Sequence, residues 1–186
     1  MSVVEKTVDV NVPVRVAYDQ WTQFEDFPQF MEGVEEVRQL DDATLSWHVS
    51  IGGVDRTFEA RIEEQSPDQR IAWRATNGED HAGVVTFQSI EADKTRVSLM
   101  MSYEPTNWTD KAADFLNIID NRVEGDLERF KGFIEERRTE TGAWRGRIEG
   151  GEVDEGDARP STPPPPPPPT GDELRDRGAG GDPNLR

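Results

Sequence analysis

The sequence predicts an α+β fold in which a curved, seven-stranded antiparallel sheet wraps around one long C-terminal helix, with two short helices after the first strand. Three observations carry that prediction. Apolar residues recur at helical spacing from Trp108 to Ile134, the longest unbroken period in the chain. Between Val34 and Tyr103 the period changes to two, interrupted by turn signals roughly every ten to fourteen residues. From Gly150 onward almost nothing remains to bury.

Each element follows in order. Val3 to Val10 alternates Val4, Lys6, Val8 and Val10 against Glu5, Thr7 and Asp9, a first strand. Asn11 offers a helix cap and Pro13 suits a first turn, so a helix is expected over Val14 to Phe24 with Ala17, Trp21 and Phe24 on one side. A second, very short helix is expected over Asp26 to Met31, capped by Asp26. Turn signals then fall at Asp41-Asp42, Gly52-Gly53, Ser66-Pro67-Asp68, Asn77-Gly78 and Ala92-Asp93. Between them the apolar residues share a parity within each strand: Leu45, Trp47, Val49 and Ile51; Val54, Phe58, Ala60 and Ile62; Ile71, Trp73 and Ala75; Val85 and Phe87; Val97, Leu99, Met101 and Tyr103. The intervening residues are mostly polar, which leaves the outer face wet and calls for an antiparallel meander.

The last helix is expected over Trp108 to Arg138. Its apolar side chains, from Trp108 and Ala112 through Phe115, Leu116, Ile119, Val123, Leu127, Phe130 and Ile134, project onto an arc about 120° wide at 100° per residue. If straight, such a helix is about 45 Å long, so a broad apolar surface has to cover it. The sheet supplies one.

Composition divides the chain into a folded part over 1–149 and a disordered tail over 150–186. The tail combines an acidic patch, seven consecutive prolines from Pro163 to Pro169 and a Gly/Asp/Arg-rich end. The proline run is expected to form a polyproline II rod, acting as a spacer or as the docking peptide of a protein partner. The formal net charge is −17, and it disfavours nucleic acid and anionic membrane surfaces as partners. There is no cysteine, hence no disulfide or thiolate chemistry. A metal site is not expected, because His48 and His81 fall on opposite strand parities. No signal core and no stretch of about 18 apolar residues is present, so a cytoplasmic location without stable membrane insertion is expected.

The element order, together with Val12-Pro13-Val14, the segment Phe24-Glu25-Asp26-Phe27-Pro28-Gln29-Phe30-Met31-Glu32-Gly33-Val34 and the late Val123-Glu124-Gly125-Asp126-Leu127-Glu128-Arg129-Phe130-Lys131, resembles the helix-grip fold of the START-like (SRPBCC) superfamily. The likeness is greatest to bacterial polyketide cyclase/dehydrase-type members, with similarity to the coenzyme Q-binding family, and it covers roughly residues 1 to 140. The resemblance implies a deep apolar cavity between sheet and long helix, of the kind used for lipids, sterols, quinones or aromatic polyketides. If the cavity exists, the inward aromatic and aliphatic set is expected to line it: Trp47, Val49, Phe58 and Trp73, then Val85, Phe87, Leu99 and Met101 from the sheet, and Phe115, Ile119 and Val123 from the helix.

Catalytic motifs are sparse: there is no Gly-x-Ser-x-Gly elbow, phosphate loop, dinucleotide fingerprint or His-Glu-x-x-His. Polar residues on inward parities are the informative exceptions. Arg56 could anchor an oxyanion, His81 could move a proton near neutral pH, Asp126 lies on the apolar arc of the helix, and Tyr103 could assist enolisation. Each has a structural alternative: Arg56 reaching solvent, His81 belonging to a turn, Asp126 pairing with a strand arginine. The leading expectation is binding of a hydrophobic small molecule without transformation and without a cofactor. The alternatives are a cyclase/dehydratase acting on a poly-β-keto chain and a protein-interaction module that uses the tail or Trp144.

Overall fold

The computed structural model describes residues 2–78, 80–104 and 111–154. The expected alternation appears as strands β1 (Ser2–Val10), β2 (Val34–Gln39), β3 (Thr44–Ile51), β4 (Val54–Ser66), β5 (Arg70–Ala75), β6 (His81–Glu91) and β7 (Lys94–Tyr103). All pair antiparallel in the order β1-β7-β6-β5-β4-β3-β2, an open sheet with β1 and β2 at its edges. Two short helices follow β1, and the long helix α2 (Lys111–Arg137) crosses the concave face. The expected start of that helix at Trp108 lies outside the described residues.

Local chemistry moves some of the expected boundaries. Helix α1 (Val14–Trp21) is entered through Pro13, at φ −57° and ψ 150°, with no side-chain cap. Asn11 does not cap it; its backbone N–H instead donates to Glu135 Oε1 on α2 at 2.8 Å. The helix stops at Trp21, short of the expected Phe24, where the Thr22 hydroxyl donates back to the Asp19 carbonyl at 2.6 Å. The second short helix is a 3-10 turn over Phe24–Gln29, so Asp26 lies within it and is no cap. The Asp26 carboxylate accepts instead from Thr141 Oγ1 at 2.5 Å and from Gln29 Nε2 at 2.9 Å. Val54, on the inward parity, is exposed at the tip of the β3–β4 hairpin, where it pairs with Ile51.

The sheet also gains two strands that alternation did not reveal. A bulge between Ile62 and Glu64 bends β4, and beyond it the edge left open by the end of β3 is filled by β8 (Arg147–Glu149), which turns through Gly150-Gly151 into β9 (Glu152–Asp154). Gly150 and Gly151 have φ of +61° and +80°, and the Gly151 N–H donates to the Glu63 carbonyl at 3.0 Å. This hairpin corrects the expected boundary at 149: pairing with β4 carries regular structure to Asp154, and three-residue strands are too short to show a period. The link from α2 to β8 packs back onto the domain, with the Trp144 N–H on Thr22 Oγ1 and Ile148 fully buried.

Packing is uneven along the long helix. Its second half sets Leu127, Phe130 and Ile134 onto the aromatics of the two short helices, where Trp21, Phe27, Phe30 and Phe130 meet at centroid separations of 5.2–6.5 Å. Each such side chain contributes roughly 1.5–3 kcal/mol by burial. Polar contacts hold both flanks of the helix: Lys6 of β1 reaches Asp120 at 2.9 Å, and Arg129 Nε donates to the Phe30 carbonyl at 3.1 Å.

Candidate functional site

The first half of α2 stands away from the sheet, and the space beneath it is a cavity of about 470 Å³. That volume lies in the range of small-molecule sites. Trp47, Val49 and Phe58 come to it from the β3–β4 hairpin, Trp73 from β5, Leu99 and Met101 from β7, and Phe115, Ile119 and Val123 from α2. The Trp47 and Phe58 rings lie parallel, 8° apart in plane and 6.1 Å between centroids, as cross-strand partners in the β3–β4 register.

Val85 and Phe87 correct the expected set. Phe87 packs edge-on to Tyr18 at 5.4 Å and Trp21 at 6.3 Å in the solid part of the core. Val85 is fully buried and borders a separate void of about 10 Å³. Both share the parity of His81, but β6 runs from the cavity toward α1, and parity carries no information about position along a strand. Between His81 and Val85 the same parity holds Gly83, whose missing side chain makes room for the Trp73 indole.

Other lining residues were not singled out from the sequence. Trp21, Phe27 and Met31 arrive from the two short helices and Val4 from β1. Their aromatic weight is visible in the sequence, but its destination is not. Arg122 also borders the cavity; on a helical projection it lies about 20° beyond Phe115, a signal that was available and unused.

Three of the four polar candidates gather at one end. The Arg56 guanidinium carbon lies 5.4 Å from the centre of the Phe115 ring, and the Tyr103 ring is 5.1 Å from the same ring. His81 pairs with Tyr103 across the β6–β7 ladder and meets Phe58 edge-on at 4.5 Å. Asp126 stands apart, near the Gly33 turn. Its Oδ1 accepts the Glu32 N–H at 2.9 Å and the guanidinium of Arg129, one turn along the same helix, so the expected strand arginine is not its partner. Burial pushes the Asp126 carboxyl above the ordinary Asp value, while Arg129 and the Glu32 N–H pull it back. His48 lies on the outer face, 3.7 Å from Glu35, and among the described residues no cluster of three His, Asp or Glu side chains has a metal site's arrangement.

A curved antiparallel sheet gripping one long helix around an apolar cavity is the START-like, helix-grip architecture. The chain belongs to the polyketide cyclase / dehydrase and lipid transport family, whose sequence profile matches residues 10–132. An uncharacterised 17.2 kDa protein from the melC2-rnhH intergenic region of Streptomyces lincolnensis is 51% identical over 149 residues, 80% of this chain and 99% of that one. Among solved structures, the ZhuI aromatase/cyclase from Streptomyces sp. R1128 superposes with a TM-score of 0.67 at 18% identity, over 77% of this chain and 99% of that one. A START superfamily protein from Mycobacterium smegmatis superposes at 0.62 with 14% identity, over 73% and 98% of the two chains. Both likenesses speak to the fold alone. Among the described residues, no helix is long and apolar enough to cross a membrane.

Proposed function

We propose that this protein binds a hydrophobic small molecule, lipid-, quinone- or polyketide-like, in the cavity between its sheet and α2. The observation that carries this reading is the 470 Å³ apolar space itself, left open in a molecule whose other half is close-packed. A void of that size sacrifices contact energy along its lining, which an apolar guest restores. Native mass spectrometry of gently purified protein should show a retained apolar molecule. Titration with the neutral fluorophore N-phenyl-1-naphthylamine should show saturable uptake that Ile119→Trp abolishes. Absence of both, after exposure to lipids and quinones, would overturn the proposal.

A second reading is supported by Arg56, His81 and Tyr103 meeting around Phe58 and Phe115. In it the cavity folds a poly-β-keto chain while these residues assist enolisation and loss of water. Turnover of such a substrate should then be lost in Arg56→Ala and His81→Ala while fluorophore uptake persists. Unchanged turnover would remove those roles.

A further inference from the structure

The chain holds six asparagines, and only Asn77 is followed by glycine; the others precede Val12, Trp108, Ile118, Arg122 and Leu185. A glycine nitrogen has no β-carbon beside it, so it is the peptide nitrogen that a preceding carboxamide reaches with least hindrance. Asn77 and Gly78 lie between β5 and β6, both exposed, with Gly78 at a φ of +79°.

Three hydrogen bonds hold this corner against β4. The Thr76 N–H and hydroxyl both donate to the Glu59 carbonyl, at 2.8 and 3.2 Å, and the Glu59 N–H donates to Asn77 Oδ1 at 2.8 Å. The Asn77 side chain thereby extends the β4–β5 ladder past its last paired residues, Ala60 and Ala75. The same N–H polarises the carboxamide, and negative charge developing on Oδ1 during attack at Cγ meets a donor already in place. The corner also adjoins the cavity. Gly78 borders it, and a β-carbon on Gly78 would fall 3.6 Å from Cβ of Phe58, the lining residue just before Glu59.

We propose that Asn77 is a self-modification site: in the folded protein it cyclises onto Gly78 and opens to aspartate or isoaspartate, and the isoaspartyl form loosens the cavity wall at Phe58. The Gly78 nitrogen gives its proton to base and bonds to Asn77 Cγ. The Cγ–Nδ2 bond breaks, and the leaving nitrogen takes a proton from solvent and departs as ammonia, which leaves a five-membered imide. Water adds to either imide carbonyl and opens the ring. The sum is asparagine plus water giving ammonia plus aspartate or isoaspartate, with no oxidant or cofactor. Aspartate keeps an acceptor oxygen for the Glu59 N–H. Isoaspartate runs the main chain through the former side chain, one carbon longer, so the oxygen that held Glu59 becomes a main-chain carbonyl and the path from β5 to His81 changes. The effect on the wall rests on the cavity being a ligand site; the modification does not.

The test incubates the full chain at mildly alkaline pH, folded and in parallel unfolded in guanidinium chloride. Tryptic peptide 75–94 is followed by mass spectrometry and by isoaspartate methyltransferase labelling. In the folded wild type that peptide should gain about one dalton and take label on the timescale of the unfolded chain, faster as the pH rises. The other five asparagines should stay intact, and Asn77→Gln should gain neither mass nor label. An Asn77 that survives in the folded protein while the unfolded chain reacts would overturn the proposal, because the Glu59 contact would then be holding the carboxamide away from Gly78. The aged fraction, separated by ion exchange on its added negative charge and with its isoaspartate content read by labelling, should take up N-phenyl-1-naphthylamine several-fold more weakly than Asn77→Asp, which should match the wild type. Equal uptake by the two would overturn the effect on the wall. No uptake by the unmodified protein would instead remove the cavity proposal and that effect with it, and leave the modification standing.

Discussion

Replacing Gly83 with alanine tests whether the cavity is room that a neighbouring ring can consume. Gly83 pairs with Trp73 on β5 and with Met101 on β7, in the centre of the sheet. A β-carbon there would fall 2.1 Å from Trp73 Cζ2, 2.4 Å from Cε2 and 2.8 Å from Cη2. Carbon atoms pack at about 3.5–4.0 Å, so the indole has to retreat by roughly 1.5 Å, and the space open to it is the cavity it already lines. Overpacking costs about 1–3 kcal/mol, offset by about 0.4–1 kcal/mol from the stiffer unfolded chain. A net loss of about 1–2 kcal/mol lowers the melting temperature by roughly 3–6 °C for a chain of this size. The assay pairs a thermal melt with fluorophore titration: Gly83→Ala should melt lower and take up N-phenyl-1-naphthylamine several-fold more weakly. A lowered melting temperature with unchanged uptake would show that the displaced ring does not enter ligand space. No change in either would show that the Trp73 contact is absent.

Three further outcomes test the scaffold. Leu127, 2% exposed where α2 meets the short helices, should cost about 2–5 kcal/mol as Leu127→Ala in urea denaturation; a loss near zero would mean that this half is not close-packed. Arg145 donates to Asp19 Oδ1 at 2.5 Å and to Asp68 Oδ2 at 2.8 Å, and Asp19 is fully buried. Arg145→Met should lose about 3–5 kcal/mol near neutral pH. Burial already raises the Asp19 carboxyl above its ordinary value, so the native state holds that proton more tightly than the unfolded one. The deficit should therefore shrink as the pH falls toward the ordinary Asp range, and a pH-independent deficit would refute the buried charge as its cause. Tyr18 is pushed up to about 12 by burial, from an ordinary 10. The stability this proton represents is fully present below pH 10 and is lost as the pH rises through 12, about 3 kcal/mol in all. Tyr18→Phe should remove that alkaline slope in pH-dependent melts while changing neutral stability by about 1 kcal/mol or less; a slope that survives would place its origin elsewhere.

How far the sequence could be read depended on whether the governing physics was local. Period-two alternation located β1 to β7 and their inward faces, and the 3.6-residue period located the long helix, because a side chain's direction follows from its own backbone. The candidates Trp47, Phe58, Trp73 and Met101 could be named for the same reason. Direction is not position: Val85 and Phe87 point inward as read, yet lie under α1. Nor did polarity reveal partners, since Asp126 turned to Arg129 one helical turn away rather than to a strand. The β8–β9 hairpin stayed hidden because its strands are too short to have a period and are stabilised by the open edge of β4.

By itself the sequence determined that β1 to β7 and the helices form, which of their faces are apolar and that the chain is strongly acidic. Tertiary structure alone decided that the apolar faces close on each other around Phe130 and leave a cavity beside Ile119, and that Arg122 is seated over Gly33 at the edge of that space. The physical reason is that a cavity is a difference between the volume two elements enclose and the volume their side chains fill. That difference depends on the separation of residues far apart in the chain, a quantity to which no local pattern is sensitive.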